Sequence, residues 1–217
     1  MARTPNNDID ANHILLAGGS NMGKSSVIKI QLAKRKPKRA VCWDFKNEYG
    51  KEGFIVCQTL AELSRCMRSG KNGRFAYCGQ PEEFERFCRL VWAWGDCLVI
   101  FEELGSSVRG VGKAQQYLGM IYRVGRGYGI ETIATTTSPQ EIPKTVQENV
   151  TESFIFRLKR EAGRKRIMQD LDIKDPGSLP VAKLQCLHHV DETSAFTKNI
   201  VTYSNGKPRI RKVKEFT

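Results

Sequence analysis

Short runs of apolar residues alternate with longer amphipathic segments between residues 13 and 156. The apolar runs have the length of buried strands, and the longer segments repeat their apolar positions with the helical period. Strands are predicted at 13–17, 40–43, 54–57, 75–77, 98–101, 132–135 and 154–156, and helices from Lys24 onward and at 60–67, 81–92 and 115–124, with Pro81 at a first helical position. Because this alternation is typical of α/β proteins, we predict a mainly parallel sheet with helices on both faces.

The pattern changes from residue 175 onward. The segment KDPGSLPVAKL at 174–184 is rich in turn residues, and NIVTYSNGKPRIRKV at 199–213 predicts a hairpin of two short strands joined at Asn205 and Gly206. No internal repeat is present. We therefore predict one domain over residues 1–217, with a polar N-terminal arm at 1–12 and a β-containing C-terminal extension at 175–217.

The first predicted strand leads directly into a phosphate-binding motif. In HILLAGGSNMGKSSVIK, Gly18, Gly23, Lys24 and Ser25 fit the spacing G-x-x-x-x-G-K-[ST]. Glycines allow the backbone to take positive φ and to approach an anion closely, so that successive N–H groups point at a phosphate. The following helix directs the positive end of its dipole at the same place. A glycine turn that precedes a helix by chance is the structural alternative.

This loop predicts a nucleoside triphosphate site. The residues expected to hold the nucleotide are Gly18, Gly19, Ser20, Asn21, Met22, Gly23, Lys24, Ser25 and Ser26. Lys24 adds a positive charge beside the phosphates, and the hydroxyl of Ser25 is placed to ligate Mg²⁺. Ser26 is expected to pack or to cap the helix.

Two acidic residues follow the apolar strand in DCLVIFEELG. Carboxylates at the carboxyl end of a parallel strand face the same edge as the phosphate loop, where ligands bind. We expect Glu102 to hold Mg²⁺ through its water shell and Glu103 to orient, or accept a proton from, the water that attacks the γ-phosphate. Because such strands usually end in Asp, the longer Glu102 side chain could exchange the two roles. The structural alternative is a pair of exposed acids at a helix start.

Arginine and threonine residues beyond this strand suggest further contacts to the γ-phosphate. Arg123 and Arg126 lie near the end of a predicted helix, where they serve either as solvated charges or as an arginine that reaches a neighbouring subunit's site. Residues 135–137 are threonines that end the next strand at the catalytic edge. One of them is a candidate sensor of the γ-phosphate, although threonine also simply favours strands.

Composition narrows the partners and the compartment. Lys and Arg total 35 against 23 acidic residues, and the formal charge of +12 favours a polyanionic partner. The seven cysteines form no C-x-x-C pair, and their odd number argues against a complete disulfide framework, so we predict core thiols in a reducing compartment. The N-terminus lacks an apolar signal region, and no apolar run reaches the roughly 18 residues of a membrane span. We therefore predict neither export nor a transmembrane segment.

Together, five segments resemble the signature motifs of the FtsK–HerA superfamily of RecA-like, DNA-pumping P-loop ATPases. These segments are GGSNMGKS, WDFKNEYG, LVIFEE, GRGYGIE and TTTSPQEIPKTV, and the resemblance spans residues 14–157 in matching order and spacing. It implies a RecA-like α/β fold, ATP and Mg²⁺ as cofactors, and ATPase roles for Lys24, Ser25, Glu102 and Glu103. Arg126 matches the arginine that acts on the next subunit. Asp44 and Glu48 match the signature after the second strand.

The sensor segment departs from the family pattern. Where the family commonly has Gln followed by Arg, this chain has Thr137 and Ser138, so Thr137 occupies the place of the family's sensor without matching its residue type.

Length separates the branches of the superfamily. Because the first predicted strand begins near His13, we expect no N-terminal β-barrel, no membrane anchor and no inserted helical domain. This compactness resembles the genome-packaging ATPases of tailless icosahedral viruses with an internal membrane. That resemblance implies packaging of double-stranded DNA into a preformed capsid by a hexameric ring, docking on capsid-vertex or membrane-associated portal proteins, and a location in the host cytoplasm and the virion. The alternatives are a cytoplasmic cellular or plasmid DNA translocase and a nucleotide-dependent assembly factor that moves no DNA.

Basic segments supply candidate DNA contacts. In a ring, loops that face the central channel would follow DNA phosphates without reading bases. The glycine-rich loop at 105–113 and the segment RLKREAGRKR at 157–166 provide the candidates Arg109, Lys113, Arg164, Lys165 and Arg166, and GKPRIRKVK at 206–214 adds charge on the predicted hairpin. A solvated surface is the alternative for each. Because aromatic residues are sparse there, the duplex backbone is a better-supported ligand than stacked single strands.

Overall fold

The computed structural model describes residues 4–6, 12–44, 46–69, 72–110 and 112–216. Its described strands form one ten-stranded sheet in the order β10-β9-β8-β7-β1-β6-β5-β2-β4-β3. The strands are β1 His13–Ala17, β2 Arg39–Trp43, β3 Ile55–Cys57, β4 Gly73–Tyr77, β5 Cys97–Phe101, β6 Ile130–Thr136, β7 Glu152–Phe156, β8 Gln185–Val190, β9 Ala195–Ser204 and β10 Lys207–Lys212. Of the predicted N-terminal arm 1–12, residues 1–3 and 7–11 lie outside the described residues.

The central part of the sheet is parallel, as predicted. Strand β1 pairs in parallel with β6 and β7, and the parallel pairing continues through β5, β2, β4 and β3. Every residue of β1 is buried, because helices cover both faces and a strand in this position must be apolar on both sides. The carboxyl ends of β1, β5 and β6 therefore meet at one edge, which carries the phosphate loop and both acidic residues.

The C-terminal strands extend the same sheet in antiparallel pairing. Strands β9 and β10 form the predicted hairpin, and Asn205 and Gly206 at its turn both have positive φ, as a tight two-residue turn requires. The sequence did not predict β8, which pairs with β7 and β9 and so joins the hairpin to the main sheet. This arrangement brings the end of β9 beside the helix that follows the phosphate loop.

Helices cover the two faces of the sheet. They are α1 Lys24–Arg35, α2 Leu60–Ser69, α3 Phe84–Trp94, α4 Leu104–Ser107, α5 Gln116–Val124, α6 Lys144–Gln147 and α7 Glu161–Asp170, with 3-10 turns at Tyr49–Glu52, Pro81–Glu83, Gly125–Tyr128, Pro139–Glu141, Pro176–Ser178 and Asp191–Thr193. Pro81 opens a 3-10 turn ahead of α3 instead of α3 itself. Helix α1 packs on one core, and α2, α3 and α5 pack on the other.

Most of the cysteines are core thiols, as predicted. None of the seven cysteines forms a disulfide, and Cys42, Cys57, Cys88, Cys97 and Cys186 are buried. Burial raises the pKa of the Cys186 thiol to about 12, so this group stays protonated and unreactive at neutral pH. In the described part of the chain, no helix has the length and apolar character needed to cross a bilayer.

Candidate nucleotide-binding site

The phosphate loop between β1 and α1 is tied to the ends of two neighbouring strands. The Gly18 N–H donates to the carbonyl of Thr136 at 3.0 Å, and the Gly19 N–H donates to the carbonyl of Arg157 at 2.9 Å. A Cβ atom added to Gly18 would lie 2.5 Å from the Cβ of Phe156, so no larger residue fits there. Gly23 has a φ of +122°, which only glycine adopts readily. The two motif glycines are therefore required by packing and by backbone geometry.

Lys24 lies inside the loop. Its Nζ atom donates to the carbonyls of Gly18 at 2.6 Å and Gly19 at 3.2 Å, and it lies 3.8 Å from Oε1 of Glu103. Burial lowers the pKa of Lys24, while the nearby Glu103 carboxylate opposes this effect. A buried cation is thus fixed where the motif expects the phosphates.

Glu102 and Glu103 are both buried at the carboxyl end of β5, which rules out the alternative of two exposed acids. The Oε1 atom of Glu102 accepts a hydrogen bond of 3.4 Å from the Tyr49 hydroxyl, whereas its buried Oε2 atom has no hydrogen-bond partner among the described residues. Burial raises the pKa of Glu102 to about 7. A buried oxygen without a partner in this position is suited to a cation or its hydration shell.

Glu103 is held in place by the end of the neighbouring strand. Its backbone has a φ of +46°, and its N–H donates to the hydroxyl of Thr135 at 3.0 Å. Its Oε2 atom accepts two hydrogen bonds of 3.1 Å from Thr137, one from the N–H and one from the hydroxyl. The predicted sensor therefore contacts the predicted catalytic glutamate in this structure.

The residues expected to hold Mg²⁺ border one small cavity. Ser25 and Glu102 both line a space of about 120 Å³ that also reaches Glu48 and Tyr49. No cluster of three or more metal-ligating side chains occurs among the described residues, but Mg²⁺ at phosphate sites commonly takes only one or two protein oxygens. The Ser25 hydroxyl and the Glu102 carboxylate, whose buried Oε2 atom has no hydrogen-bond partner among the described residues, therefore fit this ion.

The segment after β2 that begins at Asp44 positions two residues that line this cavity, Glu48 and Tyr49. The carboxylate of Asp44 accepts hydrogen bonds from the N–H groups of Glu48 at 3.0 Å and Tyr49 at 2.8 Å. Asp44 itself is buried, and by fixing this turn it sets the position of the Tyr49 hydroxyl against Glu102. The contacts of Asp44 are thus structural, and Phe45 in the same signature lies outside the described residues.

A larger cavity of about 340 Å³ opens beside the phosphate loop. Its lining includes Gly19, Ser20, Asn21, Gly23, Lys24, Ser25 and Ser26 from the loop and, from elsewhere, Lys46, Glu48, Lys183, Leu184 and Tyr203. Sequence reasoning missed Lys46, Lys183, Leu184 and Tyr203, since the last three join the site only through the unpredicted pairing of β8 with β7. Met22 does not line this cavity, although its carbonyl accepts a hydrogen bond from the Leu184 N–H. A groove of about 600 Å³ between α2 and α3 contains no loop residue.

Arg126 lies at the opposite edge of the sheet from the phosphate loop. Arg126 is exposed and belongs to the turn Gly125–Tyr128 that precedes β6, whereas the loop follows the carboxyl ends of the strands. With a rise of about 3.3 Å per residue, the length of β6 separates the two edges by roughly 20 Å. Arg126 therefore cannot reach the phosphate loop of its own chain. Arg123 is exposed and donates to the Gly119 carbonyl at 3.2 Å.

The predicted DNA-binding residues fall into two groups. Arg109 and Lys113 are exposed in the loop between α4 and α5, within which Val111 lies outside the described residues. The residues on α7 make local contacts instead: Arg164 donates to the carbonyls of Leu158 and Lys159, Lys165 pairs with Glu161, and Arg166 contacts Asp170 and Gln147. These contacts explain part of the charge on α7 without a ligand.

Comparison with known proteins identifies relatives of the chain. No protein-family model matches it. Protein P9 of Pseudoalteromonas phage PM2 is 31% identical over 169 residues, which cover 74% of this chain and 75% of P9. In structure, the chain is similar to the genome packaging NTPase B204 of Sulfolobus turreted icosahedral virus 2, with a TM-score of 0.68 and 14% identity over 86% of this chain and 96% of B204.

A second similar structure is the cytoplasmic domain of the type VII secretion ATPase EccC from Thermomonospora curvata. It has a TM-score of 0.57 and 10% identity, and the match covers 90% of this chain and 24% of EccC. At these identities the structural matches establish the fold, and the sequence match to P9 establishes kinship. The chain therefore belongs to the family of phage PM2 protein P9 and shares the fold of the NTPase B204 and the ATPase EccC.

Proposed function

We propose that this chain is an ATP-hydrolysing motor that packages double-stranded viral DNA into a preformed capsid. The observation that carries the proposal is the convergence of Lys24, Ser25, Glu102 and Glu103 at one sheet edge in a homologue of a phage protein. The structurally similar B204 proteins are described as a genome packaging NTPase and as a DNA-packaging ATPase, and B204 forms complexes with AMP, ATP-gammaS and AMPPCP. These relatives support nucleotide binding and packaging as the function.

The proposed chemistry follows from the contacts in the loop. Backbone N–H groups of residues 18–26 cradle the phosphates, and Lys24 exchanges its contacts with two loop carbonyls for contacts with phosphate oxygens. Glu103, held by Thr137, orients the attacking water and accepts its proton. Ser25 and Glu102 would hold Mg²⁺, which neutralises charge on the phosphates when it is bound.

The position of Arg126 supports a ring. An arginine that lies roughly 20 Å from its own phosphate loop can assist phosphoryl transfer only at the site of another subunit. We therefore propose that Arg126 completes the site of the next subunit in a hexameric homo-oligomer whose chains, residues 1–217, each form one ATPase domain.

Exposed basic residues supply the proposed duplex contacts. Arg109 and Lys113 lie on one exposed loop, and Arg209 and Arg211 are exposed on β10, where they pair with no acidic side chain of the described residues. With a net charge of +12, these groups favour binding to the phosphate backbone without base readout. The proposed docking partners are capsid-vertex or membrane-associated portal proteins.

The test is displacement of a third strand from a DNA triplex by the full chain with ATP and Mg²⁺. A motor that moves along the duplex strips the third strand, whereas Glu103→Gln should bind the same DNA and strip nothing. ATP hydrolysis without displacement, under conditions in which the ring assembles, would contradict a translocase and favour the nucleotide-dependent assembly factor.

A further inference from the structure

We propose that Tyr203 is the platform on which the nucleotide base stacks, with Lys183 beside it to contact the ribose or the α-phosphate. This inference rests on the proposed ATP binding and adds what the phosphate loop alone does not provide, a subsite for the nucleoside. The sequence places Tyr203 in the C-terminal extension, far along the chain from the loop.

The loop fixes the direction in which the phosphates run. Glu103 and the buried Lys24 ammonium lie together at one end of the loop, where the γ-phosphate reacts. The backbone of the first turn of α1 follows, and in phosphate loops these N–H groups hold the α- and β-phosphates. The nucleoside therefore leaves the loop on the side of Ser26, and the group that contacts the Ser26 side chain is Tyr203.

Tyr203 is anchored at its hydroxyl and open over much of its ring. Its hydroxyl lies 2.6 Å from Oγ of Ser26, yet the residue is 56% exposed. Residues two apart on a strand share a face, and Val201 on this face is buried in the core beneath α1. The hydrogen bond thus fixes an aromatic ring at the mouth of the 340 Å³ cavity, where an aromatic face can accept a base.

The segment that carries Lys183 is tied to the same loop. The Leu184 N–H donates to the Met22 carbonyl at 3.1 Å, and the Leu184 carbonyl accepts from the Val201 N–H at 2.8 Å. Leu184 has a φ of +67°, a conformation that is unusual for leucine and that these two hydrogen bonds maintain. Lys183 therefore lines the cavity from a fixed segment, and its ammonium adds a cation on the α-phosphate side.

The ligand class follows from this lining. Stacking needs a π face and tolerates any base, and a purine offers the larger face. The subsite therefore takes a nucleoside triphosphate and favours purines over pyrimidines, while inorganic tripolyphosphate, which has no base, gains nothing from the Tyr203 ring.

The experiment compares the binding of ATP and of inorganic tripolyphosphate, each with Mg²⁺, by calorimetry. Tyr203→Ala should weaken ATP on the order of tenfold and leave tripolyphosphate within about twofold of wild type. Tyr203→Phe, which keeps the ring and loses the hydrogen bond to Ser26, should bind ATP more tightly than Tyr203→Ala. Phe196→Ala is the matched control, since Phe196 is a 41% exposed aromatic on the same strand and lies outside the cavity.

Two outcomes would overturn the platform. Equal loss of ATP and tripolyphosphate in Tyr203→Ala would mean that the tyrosine only supports the loop, and unchanged ATP affinity would mean that the base lies elsewhere. If Tyr203→Ala loses the circular-dichroism spectrum of the folded protein, the binding of ATP and of tripolyphosphate is measured for Tyr203→Leu instead and judged by the same two criteria. A wild-type chain that binds neither ligand would refute the proposed ATP site itself, a result distinct from the first two.

Discussion

Thr137→Val tests how Glu103, the proposed base of the reaction, is positioned, because it removes one hydroxyl and keeps the shape of the side chain. Glu103 accepts two hydrogen bonds from Thr137, one from the N–H and one from the hydroxyl. Valine retains the first and deletes the second. The sequence made Thr137 a candidate sensor of the γ-phosphate. A residue that senses the γ-phosphate and a residue that positions Glu103 predict different kinetics.

The magnitude follows from the environment of the lost bond. A hydrogen bond to a charged group contributes about 1.5 to 3 kcal/mol, and the exposure of Thr137 reduces this to about 1 to 2 kcal/mol. If the bond holds Glu103 in its reactive position, kcat should fall roughly 5- to 30-fold. The affinities for ATP and ADP should not change, because no group proposed to bind either nucleotide is altered.

The assay is steady-state ATP hydrolysis together with equilibrium binding of ATP and ADP. Thr137→Ser keeps the hydroxyl and is the control, and its kcat should stay close to the wild-type value. An unchanged kcat in Thr137→Val would refute the positioning role. A loss of affinity for ATP but not ADP would instead support a sensor of the γ-phosphate.

Further predictions concern the metal site, the neighbouring subunit and DNA. Since burial raises the pKa of Glu102 to about 7, ionising this carboxyl group lowers the stability of the folded protein as the pH rises. Glu102→Gln should therefore raise the melting temperature of the metal-free protein more at about pH 8 than at about pH 5, and equal increases at both pH values would contradict this. Mixing Arg126→Ala with Lys24→Ala chains should restore some ATPase activity, because some subunit interfaces then join an intact phosphate loop to an intact arginine. An Arg126→Ala protein that assembles and hydrolyses ATP at the wild-type rate would exclude a role for Arg126 at the neighbouring subunit's site. Duplex affinity should fall steeply with salt and vary little with sequence, so a salt-insensitive Kd would contradict backbone binding.

The sequence predicted which edge of the sheet carries the motif residues, because these motifs are local. Gly18, Gly23 and Lys24 are required by a loop only a few residues long, and the position of Glu102 and Glu103 at the end of an apolar strand determines the edge they face. The parallel sheet follows from the same alternation of strands and helices, and the structure confirms it.

Contacts between distant segments were not predictable in the same way. Strand β8, Gln185–Val190, contains glutamine and two histidines and lacks a strong strand pattern, so its pairing with β7 was missed. The contact between Tyr203 and Ser26, which are 177 residues apart, was missed for the same reason. The partner of the Thr137 hydroxyl likewise depends on the left-handed turn at Glu103, which no motif reveals.

The most direct test of the account is the rate of ATP hydrolysis with and without double-stranded DNA, for the wild-type chain and for Glu103→Gln. We expect DNA to stimulate the wild-type rate, because a packaging motor couples turnover to its substrate. Glu103→Gln should bind ATP and DNA with nearly wild-type affinity yet lose turnover by orders of magnitude, since the amide keeps the shape and removes the base. A wild-type rate that is the same with and without DNA, or a Glu103→Gln protein that hydrolyses ATP at the wild-type rate, would contradict the account.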